Sequence, residues 1–133
     1  MSAFRVANAP CSWGTLEFTA AAPQTIGAAR MLDELRETGY RGTELGDWGY
    51  MPTEPAALRA ELTGRDLTMV GAFVSIPFHD AARHAAGEEF ALRFARLLAA
   101  VADAGDGTRP LVILSEANGE EGARTRHAGR ITP

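Results

Sequence analysis

Four short apolar runs are separated by three amphipathic segments, and the first two of those segments each close on a glycine before the next run. This alternation constrains the fold more than any other feature. A run followed by a helix long enough to cross back favours a parallel sheet. The first run, residues 4–9 (FRVANA), alternates apolar and polar groups as a strand does and stops at Pro10. After Pro23, the stretch QTIGAARMLDELRETG puts Ala28, Met31, Leu32 and Leu35 at i, i+3, i+4 and i+7. That is one helical stripe, ended by Gly39 just past the cap. Residues 40–45 form a second short strand centred on GTEL. Thr53 is the expected N-cap of a second helix, with Glu54 and Pro55 in its first turn, Leu58 and Leu62 on its apolar side and Gly64 at its exit. Residues 68–76 (TMVGAFVSI) are almost continuously apolar, the pattern of a strand covered on both faces. From Glu88 onward, Phe90, Phe94, Leu97, Leu98 and Val101 predict a third helix that stops near Gly105. Residues 110–115 (PLVILS) then predict a fourth buried strand.

The expected order is β-α-β-α-β-α-β, an α/β fold in a single domain over the 133 residues. After Ser115 the chain reads EANGEEGARTRHAGRITP, polar and glycine-rich, so an irregular tail is expected from about residue 117 and nothing in sequence covers the last strand. Two architectures fit: a small doubly wound sheet, or the first half of a (β/α)8 TIM-type barrel, which takes about 250 residues. The half-barrel of about four parallel strands and three helices accounts better for the uncovered last strand.

The bulk properties exclude several functions. An apolar fraction of 46% and a charged fraction of 23% belong to an ordinary globular chain. A net charge of −4 does not provide the basic face that nucleic acid requires. All thirteen basic residues are arginine, which removes a Schiff-base or P-loop lysine. Cys11 is the only cysteine, so neither an intrachain disulfide nor a cysteine-rich zinc site can form within the chain. No stretch approaches the roughly 18 apolar residues of a membrane span, and a cytoplasmic location is the expectation.

In either architecture the working face lies at the carboxyl ends of the strands. Distinctive polar and aromatic residues fall there: Asn8, Cys11, Ser12 and Trp13 after the first strand, Glu44, Asp47 and Trp48 after the second, His79 and Asp80 after the third, and Ser115, Glu116 and Asn118 after the fourth. The opposite ends carry Arg5, Arg41, Asp66 and Arg109, which read as solvated loops. Each group also has a plainer role open to it. Glu44 can cap a turn or pair with an arginine, the two tryptophans can be packing, and His79–Asp80 can be a loop pair. A Cys11 nucleophile with His79 as its base lacks anything to orient the histidine. A metal set of Glu44, His79 and Glu116 has no short-spacing motif behind it.

Three segments carry a resemblance: NAPCSWG at the first strand end, GYRGTELGDWGYMP around the second strand, and DLTMVGAFV in the third. Together they resemble the xylose isomerase-like TIM-barrel superfamily, closest to inosose dehydratase and the related sugar phosphate isomerases and epimerases. The likeness implies a metal-dependent enzyme acting on a sugar or cyclitol by isomerisation, epimerisation or dehydration. It implies Mn, Co or Mg at a barrel mouth, polarising a substrate oxygen while a carboxylate moves a proton. The family's metal ligands lie on later strands, so the expectation is an N-terminal half that binds no metal and is inactive by itself. Trp13, Glu44, Trp48 and His79 are then substrate-lining groups, with no catalytic or metal residue assigned. The competing expectation is a non-catalytic half-barrel or small-molecule binding module that self-associates through its exposed strand edges.

Overall fold

The computed structural model describes residues 6–14, 26–102, 107–117 and 129–130. Four parallel strands form one sheet in the order β1 (Ala7–Asn8), β2 (Gly42–Glu44), β3 (Thr68–Ile76), β4 (Leu111–Glu116). Three helices connect them: α1 (Ala28–Glu37), α2 (Pro55–Thr63) and α3 (His84–Val101). Sheet order follows chain order, so these strands contain no switch point of the kind a doubly wound sheet requires. With right-handed crossovers, such an order places successive helices on one face. The core agrees with this. Met31, Leu32 and Leu35 of α1, Leu58 and Leu62 of α2, and Phe94, Leu97, Leu98 and Val101 of α3 form one buried cluster with Leu45 and with Met69, Ala72, Val74 and Ile76 of β3.

β3 departs from simple alternation. Thr43 pairs with Met69 but Glu44 pairs with Gly71, so Val70 is an extra residue in the ladder. The buried side chains of β3 therefore run Met69, Ala72, Val74, Ile76, with the parity switched across the bulge. Gly71 sits where a Cβ would meet the Leu111 carbonyl oxygen at 2.7 Å, which is why no side chain is tolerated there. The expectation of a strand covered on both faces is corrected: Val70 and Phe73, on the other face, are only half-buried and Ser75 is exposed.

The helix boundaries also differ from the expectation in two places. α2 is capped by Glu54, whose carboxylate accepts from the Ala57 N–H at 2.8 Å, and Thr53 is not the cap. Pro55 at the first helical position makes the preceding residue the turning point. α3 begins at His84 and not at Glu88. A 3-10 turn, Ala81–Arg83, feeds into it, and the Asp80 carboxylate caps that turn by accepting from Ala82 N–H at 3.0 Å. The helix turn from His84 to Gly87 carries no apolar period, and its buried Gly87 lies against Ile76. Gly39 takes φ +93° after the α1 cap, as its position predicts. Residues 4 and 5 of the expected first strand, Gly105, and the tail segments 118–128 and 131–133 lie outside the described residues.

The fourth strand is the largest correction. It is not buried: Leu111 is 66%, Leu114 50% and Ile113 40% exposed. It pairs only with β3 among the described residues, and of its apolar groups only Val112 is half-buried, packed against the core. No helix among the described residues is long and apolar enough to cross a membrane.

Candidate functional site

The carboxyl ends of the strands hold the unusual polar groups. β2 delivers the first. Thr43 and Leu45 are buried toward the helices, so alternation turns Glu44 to the opposite, helix-free face. Its half-buried carboxylate makes no hydrogen bond or ion pair with a described residue. Gly46, at φ +72°, bends the chain away immediately afterwards, with Pro10 of the neighbouring loop where its Cβ would be. Thr43 is fully buried, and its hydroxyl is satisfied by donating to the Glu44 carbonyl at 2.9 Å.

The adjacent strands β3 and β4 bring together a second feature. His79, three residues beyond β3, meets Glu116, the last residue of β4, with 2.5 Å between Nδ1 and Oε1. A carboxylate on Nδ1 fixes the imidazole tautomer and steadies the ring. Both side chains are partly exposed, at 34% and 22%. In the sequence Glu116 stood among the polar groups after the fourth strand and in a metal set, but nothing in the chain signals that a residue 37 positions from His79 will face it. His79 is therefore engaged by Glu116 and not by Cys11. The cysteine is exposed on the 3-10 turn Pro10–Trp13, and its thiol makes no hydrogen bond within the described residues. Asp80, next to His79, is used as a cap. His84 Nε2 lies 2.8 Å from the Phe78 carbonyl oxygen and tethers the start of α3 to the same loop.

The two tryptophans are each held by a helix. Trp13 Nε1 donates to Glu34 Oε2 of α1 at 2.8 Å. Trp48 makes an edge contact with Phe94 of α3, with centroids 5.0 Å apart, and carries the Arg93 guanidinium 4.5 Å from its ring centroid. The structure thus joins His79 to Glu116, keeps Glu44 on the strand next to theirs, and fastens Trp13 and Trp48 toward α1 and α3.

No group of three or more His, Cys, Asp or Glu side chains among the described residues converges to hold a metal ion. Glu44 does not join His79 and Glu116 in such a set, so these donors alone do not fit the divalent metal that the family likeness implies. Comparison with known proteins finds no family model, no curated protein and no solved structure that matches this chain.

Proposed function

We propose that this chain supplies the substrate-facing part of a (β/α)8-barrel enzyme, xylose isomerase-like, that isomerises, epimerises or dehydrates a sugar or cyclitol. The observation that carries the reading is the His79–Glu116 pair at the carboxyl ends of β3 and β4; Glu44, without a partner among the described residues, ends β2 five register positions back, level with Gly71 and Leu111. Barrel enzymes use that face, and the absence of a switch point in the described strands favours a barrel over a doubly wound sheet. In this reading Glu44 accepts hydrogen bonds from ring hydroxyls. His79, oriented by Glu116, moves a proton at a substrate oxygen, and Trp13 and Trp48 border the site. Metal-assisted steps would need donors beyond the described residues, and none is routed through these groups.

The test is an NMR titration of the purified chain with myo-inositol, inosose and xylulose. Saturable binding that weakens at least tenfold in Glu44→Gln and in His79→Ala supports the reading. Absence of binding, or binding indifferent to both substitutions, ends it. A second reading, a self-associating binding module without catalysis, is favoured by one specific observation, the apolar exposure of β4.

A further inference from the structure

Beside the strand ends lies a recess of about 150 Å3 that neither His79, Glu116 nor Glu44 lines. Its walls are aromatic: Trp48 from the loop after β2, Phe73 of β3, and Phe90 and Phe94 of α3. Phe94 stands at the centre of the cluster, meeting Trp48 edge-on at 5.0 Å and Phe90 edge-on at 5.1 Å between centroids. The polar lining among the described residues is Asp47 and Ser75. Neither the Asp47 carboxylate nor the Ser75 hydroxyl has a hydrogen-bond or ion-pair partner among the described residues. Asp47 is exposed to solvent, so it places a negative charge at the mouth of an aromatic recess.

We propose that this recess binds a small alkylated ammonium ion, with Asp47 as its counter-charge and the rings of Trp48, Phe90 and Phe94 against its methyl groups. An anion is repelled by Asp47. A metal ion would find one carboxylate and one hydroxyl, well short of the six or more oxygens that calcium takes. A neutral apolar guest would make no use of the charge at the mouth. An organic cation satisfies the carboxylate by charge and the ring faces by their quadrupoles. Trp48 and Phe90 already accommodate one cation, since the Arg93 guanidinium stands 4.5 Å from the Trp48 centroid and 6.0 Å from that of Phe90. The volume suits the group, because a cavity of about 150 Å3 accommodates a molecule the size of benzene.

The experiment is a 1H–15N NMR titration of the purified chain at constant ionic strength with tetramethylammonium chloride and with tert-butanol as an uncharged group of similar shape. Tetramethylammonium should give saturable shifts at the Trp48 indole N–H, and tert-butanol none. Asp47→Asn should weaken binding at least tenfold, while Arg93→Ala should tighten it severalfold by removing a like charge. The proposal is overturned if tetramethylammonium does not saturate, if tert-butanol shifts Trp48 as strongly, if Asp47→Asn keeps the affinity, or if Arg93→Ala lowers it. Polyol binding at the strand ends depends on Glu44 and His79 and not on Asp47, so the two sites fail separately.

Discussion

Glu34 takes on two tasks through its two carboxylate oxygens: Oε1 accepts from Arg30 at 2.9 Å and Oε2 from the Trp13 indole at 2.8 Å. The hydrogen bond from Arg30, and then that from Trp13, hold its carboxyl below the usual carboxylate range. A carboxyl lowered on folding stabilises the fold above the ordinary carboxylate pKa, and that contribution disappears as pH falls through the lowered value. The urea midpoint of Glu34→Gln should therefore lie below that of the parent at neutral pH and converge with it on acidification. A gap that persists at acid pH would show that the charge is not what matters. The Arg30 half of the arrangement was legible as an i,i+4 pair in one helix. The Trp13 half was not, because residues 21 positions apart meet only once the first loop folds over α1. The same limit hid the His79–Glu116 contact.

At the level of elements, the missing side chain of Gly87 lets α3 lie close against β3. A Cβ on Gly87 would lie 2.6 Å from Ile76 Cγ2, a methyl attached to a β-branched carbon with little freedom to turn away. Gly87→Ala gains about 1 kcal/mol of helix propensity but meets an overpacking cost of about 1–3 kcal/mol. The substitution should therefore destabilise by about 1 kcal/mol in chemical denaturation. Ile76→Leu, which removes Cγ2, should recover most of that loss in the Gly87→Ala background. If Gly87→Ala is stabilising by itself, the close packing is not real. Elsewhere the elements are joined by polar clamps. Arg65, after α2, reaches Asp33 of α1 at 2.6 Å and Glu61 at 2.5 Å, and Arg59 donates to the Ala100 carbonyl near the end of α3. The exposed Arg36–Asp66 and Arg41–Asp66 pairs, at 3.3 and 3.7 Å, contribute no more than about 1 kcal/mol each and do not determine the fold. The helices and their stripes were readable because a 3.6-residue period is written locally. The bulge at Val70 was signalled only by the glycine after it.

For the whole molecule, the decisive feature is β4. Leu111 and Ile113 stand exposed on one face and Leu114 on the other, and on the helix side a groove of about 490 Å3 runs between β4 and α3, lined by Ile76, Phe78, Ala91, Leu92, Val112 and Leu114. An exposed apolar strand at a sheet edge is a template for pairing with another chain. The purified chain should run above its monomer mass of 14.2 kDa in light scattering and should bind an apolar-surface dye. Leu111→Lys combined with Ile113→Lys should reduce both signals, since charges on an edge strand oppose pairing. A parent chain that is monomeric and dye-silent would refute the self-associating reading.

The strand–helix alternation, the helical stripes, the glycine exit of α1 and the concentration of polar groups at the carboxyl ends of the strands follow from sequence alone. Each depends on a short-range period or on one residue's backbone preference. The register of β2 on β3, the side of the sheet that each β3 residue faces, the pairing of His79 with Glu116 and the exposure of β4 were decided by tertiary structure. These depend on which distant segments meet. An apolar run such as PLVILS is spelled in the same way whether or not anything packs against it, so its burial is a property of its surroundings and not of its letters.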